Sequence, residues 1–412
     1  MHFSVKALIG ALALAGFSWA VADWFADDAQ VAVALRELVK TTPDYPDQPN
    51  EWRGEVDYPL LDRQLTALTA RSEMAGLAVA VVEGGKLRFV RTYGVIDRNT
   101  NVPVSLETVF RWASVSKTVA GTLAGTLANE GAINLDRPVS NWTTSLRLPG
   151  GAESRVTLAQ LLAQQTGLTK NAYDEKLESG EDPKLVRASL VDAPLQCEPG
   201  TCHTYQNVAF DAATEIFIQA TKRPYADVVS ERFFLPLGMT SASFGMAGLE
   251  GAKEWARPHN GRQVRPLRES YWRVPAAAGV ESNIIDFARW MQATMGECPE
   301  VLPANVLRIA QSPRVATAPI YGGELRQANS NARYGLGWRS FEYDGRQFIG
   351  HSGAVDGYRA TLIFEPATRT GVVAMWNSNW GTPFRIPFAV FDYYHKRTDS
   401  RWLELKDSSA GS

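Results

Sequence analysis

Phe110-Arg111-Trp112-Ala113-Ser114-Val115-Ser116-Lys117-Thr118 is the stretch whose reading organises the chain. It contains Ser-x-x-Lys. Small and apolar residues at helical spacing continue from Ser114 to Glu130, and Gly131 stops them. On a helix, positions i and i+3 share a face, which sets the Lys117 amine beside the Ser114 hydroxyl. A serine hydroxyl is a weak nucleophile until a neighbouring base takes its proton. A lysine can be that base when burial or another cation lowers its pKa. A serine at a helix start also has unpaired backbone N–H groups nearby, suited to an oxyanion. Ser-x-x-Lys arises by chance on the order of once in a chain this long, so alone it fits an ordinary surface helix equally well.

Two further stretches add to it. Tyr205-Gln206-Asn207 sits in an extended loop, where residues two apart point the same way. A phenol can exchange a proton with Ser114 or a leaving group, and the asparagine amide can bind a substrate carbonyl and Lys117. Gly350-His351-Ser352-Gly353-Ala354 precedes a strand at 358–365. A strand edge beside a nucleophile can pair with an extended substrate and aim N–H groups at an oxyanion. Gly353 allows close backbone approach, and His351 supplies a cation or a proton relay near neutral pH. A competing reading takes this stretch as a Gly-x-Ser-x-Gly elbow. It lacks the fifth glycine, and a strand follows where that motif needs a helix.

In this order the three stretches resemble the motifs of the serine β-lactamase and penicillin-binding protein superfamily: Ser-x-x-Lys, Tyr-x-Asn, and Lys-Thr-Gly or a variant. Tyrosine in the second motif is similar to the class C β-lactamase branch and its esterase and D-peptidase relatives. Gln164-Gln165-Thr166-Gly167-Leu168, Pro236-Leu237-Gly238-Met239 and Tyr334-Gly335-Leu336-Gly337-Trp338 also resemble that branch, so the likeness runs from about Tyr58 to His395. It implies a catalytic trio of Ser114, Lys117 and Tyr205. It implies substrate contacts from Asn207, His351, Ser352 and Gly353, and an oxyanion hole made by the N–H groups of Ser114 and Ala354. One departure is His351, where β-lactamases have lysine; His-x-Gly occurs among D-peptidases and esterases of the branch. The expected activity is a class C-like β-lactamase working through an acyl-enzyme at Ser114. A D,D-peptidase or an esterase is the alternative on the same fold, and a penicilloyl- or peptidoglycan-binding sensor is the alternative outside enzymes.

The bulk properties agree with such a reading. The chain has 412 residues, 45% hydrophobic and 21% charged, the balance of an ordinary globular protein. A net charge of −2 gives no reason to expect nucleic acid as a partner; a small-molecule substrate and a monomer are expected. Phosphate-loop, dinucleotide-fingerprint and His-Glu-x-x-His patterns are absent from the sequence, so neither cofactor nor metal is expected. The N-terminus carries one lysine in its first six residues, then an apolar run ending Ala20-Val21-Ala22. That pattern reads as a signal peptide over 1–22, placing the protein in the periplasm or outside the cell, with an uncleaved membrane anchor as the alternative.

Beyond it the chain is expected to divide into a polar lead-in at 23–55, a catalytic domain at 56–397 and a tail at 398–412. β-forming runs at 77–82 and 87–93 flank Gly84-Gly85 and read as a hairpin. Helical stretches follow at 157–165, 208–221 and 225–235. Strands return at 334–341, 347–349, 358–365 and 371–377, and a helix closes at 383–395. The expected class is therefore α/β of the α+β kind, β-lactamase-like. One antiparallel sheet is built from both ends of the chain (about 56–113 and 265–397) and flanked by helices, with an all-helical lobe inserted at about 114–264. Cys197 and Cys202 bracket the turn sequence Glu198-Pro199-Gly200-Thr201, which lets them bridge or stay separate thiols. His203 beside Cys202 fits no recognised zinc spacing.

Overall fold

Gly76–Glu83 is buried at all eight positions and forms β1; Gly84 and Gly85, both at positive φ, turn the chain into β2, Lys86–Asp97. The computed structural model describes residues 45–404. The expected signal peptide, most of the lead-in and the end of the tail lie outside the described residues. The other strands of the main sheet are β3 (Val102–Pro103), β4 (Val315–Ala316), β5 (Asn329–Tyr334), β6 (Arg339–Tyr343), β7 (Arg346–Val355), β8 (Tyr358–Glu365) and β9 (Thr370–Trp376). They lie in the order β3-β2-β1-β9-β8-β7-β6-β5-β4. The two ends of the chain meet where β1 pairs antiparallel with β9, from Leu77 opposite Trp376 to Val82 opposite Gly371.

Five helices frame this sheet and the site: α1 (Tyr58–Thr69), α2 (Ser116–Asn129), α3 (Ala212–Thr221), α4 (Ile284–Thr294) and α5 (Ile386–Tyr394). Leu61, Leu65 and Leu68 recur at helical spacing on α1. With Phe388 and Phe391 of α5 they cover Leu77, Val79 and Val81 on one face of β1. Trp52 and Leu403 are buried in the same layer, outside the 56–397 span. The alternate face of the sheet meets α4, where a methyl on Gly371 would strike Met295 and Met291. Burial on both faces explains why the central strands read as continuous apolar runs without alternation.

Two local expectations need correction. The run 334–341 is not one strand. It is the end of β5, the loop Gly335-Leu336-Gly337-Trp338, and the start of β6. That loop leaves the ladder because it packs on α2. Gly337 sits at φ +70° with its Cα against the Lys117 carbonyl, and Gly121 of α2 lies against the Leu336 carbonyl. Second, the strand expected at 347–349 is longer: it is β7, Arg346–Val355, which takes in Gly350–Ala354 and pairs with β8 from Ile349 to Val355.

Candidate active site

Ser114 occupies the 3₁₀ turn Ala113–Val115, which runs directly into α2. Ala113 is held at φ +50°, a left-handed conformation that costs a non-glycine residue free energy and is common where a nucleophile must be presented. α2 packs closely through Ala120, Gly121, Ala124 and Gly125 and stops at Gly131, φ +73°. Trp290 and Trp338 hydrogen-bond to its Thr118 and Thr122 hydroxyls. This fixes Lys117, which is fully buried. Its Nζ lies 3.4 Å from Ser114 Oγ, 2.7 Å from Asn207 Oδ1 and 3.0 Å from the Ala277 carbonyl oxygen. Among the described residues it makes no ion pair within 4.0 Å.

The Tyr205–Asn207 loop is clamped by one side chain that the sequence reading missed. Gln164 donates to the Gln206 carbonyl (3.0 Å) and accepts from the Gln206 N–H (2.7 Å). Gln206 points the other way and binds Thr169 O (2.6 Å) and the Ala172 N–H (3.2 Å). The alternation leaves Tyr205 and Asn207 on the Lys117 side: the Tyr205 ring centroid is 4.7 Å from Lys117 Nζ. Cys197 and Cys202 are disulfide-bonded, Cα atoms 6.4 Å apart, immediately before this loop. Gln165 ties the bridged turn to the preceding helix through Gly200.

The third motif brings its backbone, not its histidine, to the nucleophile. β6 pairs with β7 only as far as Arg339 opposite Gly350, so residues 351–355 run past it. There a Cβ on Gly353 would sit 2.3 Å from the Trp112 carbonyl oxygen and 2.8 Å from the Ser114 nitrogen. Ser114, Ser352, Gly353 and Ala354 all line one cavity. Gly353→Ala is therefore expected to push β7 off the Ser114 turn. A displacement of that kind lowers kcat/KM by ~10²-fold, and overpacking costs about 1–3 kcal/mol of stability. Steady-state kinetics beside a thermal melt check this; a wild-type rate would show that the contact does not set the geometry.

His351, expected to contact the substrate as a cation or a proton relay, is 2% exposed and is not among the residues lining the cavity. Its Nε2 lies 3.0 Å from Tyr334 OH and its Nδ1 2.8 Å from its neighbour's Ser352 carbonyl. Burial, then Arg339 and Lys117, hold its pKa well below the usual histidine value. It is a neutral brace between β5 and β7. Burial and Arg339 likewise push His203 down to about 3.

The cavity, of about 530 Å³, carries other charges on its wall. Arg339 lines it with no ion pair among the described residues, its guanidinium carbon 5.4 Å from the Tyr205 ring and 5.0 Å from that of Tyr334. Lys170 lines it too. Asp174 is the acidic group on the wall, and its Oδ2 accepts from Asn207 Nδ2 at 2.7 Å. Burial raises its pKa to about 6, with Glu178 adding to the shift and Asn207, Lys117 and Tyr271 opposing it. A carboxyl raised in the folded state stabilises the fold fully below its unfolded value of 3.8, and that stability is lost as pH rises through about 6. Asp174→Asn is thus expected to be more stable than wild type at pH 8, by on the order of 2–3 kcal/mol. The advantage should vanish near pH 4; denaturant titrations at the two pH values read it. Neither Arg339 nor Asp174 belongs to a spaced motif. The one local signal was that Arg339 directly follows Tyr334-Gly335-Leu336-Gly337-Trp338.

Comparison with known proteins bears on the fold and the family. The chain is 24% identical over 316 residues to protein flp of Staphylococcus aureus (strain COL), covering 75% of this chain and 61% of that protein, so it spans under two thirds of that relative's length. It is 24% identical over 386 residues to the unguisins hydrolase ungD' of Aspergillus campestris, covering 88% and 68%. Among solved structures it superposes on an octameric penicillin-binding protein homologue from Pyrococcus abyssi with a TM-score of 0.73 at 20% identity, covering 82% of this chain and 78% of that one. A class C beta-lactamase mutant gives 0.66 at 21% identity, covering 82% and 97%. Likeness at that identity establishes the fold. The Beta-lactamase family model matches residues 61–387. With its serine and lysine on one helix turn, a both-ended antiparallel sheet and a family match over most of its length, the chain belongs to the beta-lactamase family of serine hydrolase folds.

Proposed function

We propose that the protein is a serine hydrolase that forms an acyl-enzyme at Ser114 and opens β-lactams in the manner of class C enzymes. The observation that carries this reading is Lys117: it is buried, bonded to Ser114, Asn207 and Ala277 O, and without a carboxylate partner among the described residues. In its free-base form Nζ accepts the Ser114 proton as Oγ attacks the carbonyl carbon. The oxyanion meets the N–H groups of Ser114 and Ala354. On collapse the carbon–nitrogen bond breaks, and the departing nitrogen takes its proton through Tyr205 or Lys117. Water then hydrolyses the ester and restores Ser114. A substrate carboxylate pairs with Arg339, a guanidinium on the cavity wall that makes no ion pair among the described residues.

The His-x-Gly form of the third motif favours D,D-peptides as a second reading on the same residues. Incubation with penicillins, cephalosporins, D-Ala-D-Ala peptides and short esters, followed by intact mass and peptide mapping, tests both. A transient adduct on Ser114 with lactam turnover supports the first reading. Turnover of peptides alone, with a long-lived lactam adduct, supports the second. No adduct, or an adduct on another serine, removes both. Export rests on the 1–22 pattern and is part of the proposal; the mass of the mature N-terminus reads it, as sedimentation reads the proposed monomer.

A further inference from the structure

Gln164 is fully buried, stands at φ +64° just after the short helix Leu158–Leu162, and is not among the residues lining the cavity. A left-handed backbone costs a residue with a side chain free energy and persists where its surroundings impose it. Here it accompanies a double grip on the loop that carries Tyr205. The Gln164 carbonyl accepts from the Thr204 N–H at 2.8 Å. Its carboxamide takes both backbone groups of Gln206, accepting from the N–H at 2.7 Å and donating to the carbonyl at 3.0 Å. The side chain thus stands in for a peptide group of a neighbouring strand, which needs a donor and an acceptor on one planar group. The Tyr205 carbonyl accepts from the Asn171 N–H at 2.8 Å. The backbone is therefore fixed before, at and after Tyr205, whose ring centroid stands 4.7 Å from Lys117 Nζ.

We propose that Gln164 is a positioning residue for the leaving-group proton: by gripping Thr204 and Gln206 it holds the Tyr205 hydroxyl where the departing atom receives its proton. Gln164 does not line the cavity, so it acts through Tyr205 and not on the substrate. The step served is acylation. Ser114 Oγ bonds to the carbonyl carbon and gives its proton to Lys117. The bond from that carbon to the departing nitrogen or oxygen then breaks. The departing atom takes the phenol proton, and the tyrosinate regains one from the Lys117 ammonium. A misplacement of about 1 Å costs ~10²-fold in such a step, while the cavity wall that binds the substrate is unchanged. This inference rests on Ser114 being the acylated nucleophile and adds a residue to that reading.

The test uses Gln164→Met, which keeps the side chain's length and loses both polar contacts. Rapid-quench mass spectrometry of the full-length protein reads the acylation rate at saturating substrate. Benzylpenicillin, a D-Ala-D-Ala peptide and ethyl butyrate expel an amine or an alkoxide that needs a proton; p-nitrophenyl butyrate expels a stable phenolate that does not. For whichever of the first three the wild type accepts, the rate is expected to fall ~10²-fold with little change in the half-saturating concentration. With p-nitrophenyl butyrate the rate is expected to stay near that of wild type. Tyr205→Phe is expected to give the same split, and adding Gln164→Met to it to cost nothing further, because both act through one group. Where the wild type rejects p-nitrophenyl butyrate, the double variant alone decides. Gln164→Glu, which keeps the acceptor for the Gln206 N–H and loses the donor, is expected to show the split in smaller degree, and it decides if Gln164→Met does not fold. Equal losses on all substrates, a change confined to the half-saturating concentration, or losses that simply add in the double variant overturn this inference and leave the Ser114 assignment standing. Acylation by p-nitrophenyl butyrate alone, which needs no proton donor, does the same. Failure of every compound to acylate Ser114 in the wild type overturns both.

Discussion

Lys117→Ala is expected to slow acylation of Ser114 by ~10²–10⁴-fold, the usual loss when a positioned base is removed, and Ser114→Ala is expected to abolish acylation altogether. Lys117 has two separable roles in this structure: it can take the Ser114 proton, and it holds Asn207 by a 2.7 Å bond. Lys117→Arg separates them. Arginine keeps the positive charge and hydrogen-bond donors but does not deprotonate in a protein. If Lys117 is the base, Arg and Ala variants are equally slow to acylate even where Arg restores stability. Removing Lys117 leaves the Ala277 carbonyl and Asn207 Oδ1 unpaired, which costs about 1–3 kcal/mol for each buried group. Acylation is therefore measured well below the variant's melting temperature, with pre-steady-state mass spectrometry as the readout. An arginine variant that acylates at the wild-type rate would show that charge, not proton transfer, is what position 117 supplies.

The amino-acid pattern carried most of the architecture because the decisive signals are periodic. The β1–β2 hairpin follows from two apolar runs about Gly84-Gly85. The common orientation of Tyr205 and Asn207 follows from the extended period of two, which also sends Gln206 to Thr169 and Ala172. Tertiary contacts that leave no period were not legible. Gly335-Leu336-Gly337-Trp338 looks like strand sequence, yet it becomes a loop because α2 takes its backbone at Gly121 and Lys117. Asp174 and Arg339 are single charged residues on unrelated elements, a short helix and β6; only folding puts both on the cavity wall beside Ser114. His351 shows the same limit from the other side. Its motif position marked the right strand, but its charge state is decided by burial against Arg339 and Lys117.

His351→Lys, which would restore the lysine usual at this motif position, is expected instead to destabilise the protein by about 3–5 kcal/mol at pH 7. The Ser352 carbonyl, 2.8 Å from Nδ1, requires a proton on that nitrogen; Nε2 then accepts from Tyr334 OH at 3.0 Å. The neutral ring satisfies both partners, and burial with Arg339 and Lys117 nearby disfavours the imidazolium. A lysine ammonium in this buried space faces Arg339 and Lys117, and among the described residues no carboxylate is placed to compensate its charge. The sign with pH follows. A buried lysine has its pKa depressed in the folded state, so the unfolded chain binds the extra proton and the penalty shrinks as pH rises toward ~10. His351→Gln, which offers an N–H donor and a carbonyl acceptor, is expected to lose less. Denaturant unfolding of the three proteins at pH 7 and pH 9.5 reads this directly. The catalytic counterpart is kcat/KM between pH 6 and 8 for one carboxylate-bearing β-lactam and one neutral ester. Because His351 stays neutral throughout that range, neither profile is expected to show a step from it. Arg339→Ala is expected to cost the carboxylate substrate about 10-fold more than the ester, the worth of a charge-assisted pair. A lysine variant as stable as wild type, with an acid-shifted profile confined to the carboxylate substrate in wild type, would return the cationic role to His351 and remove it from Arg339.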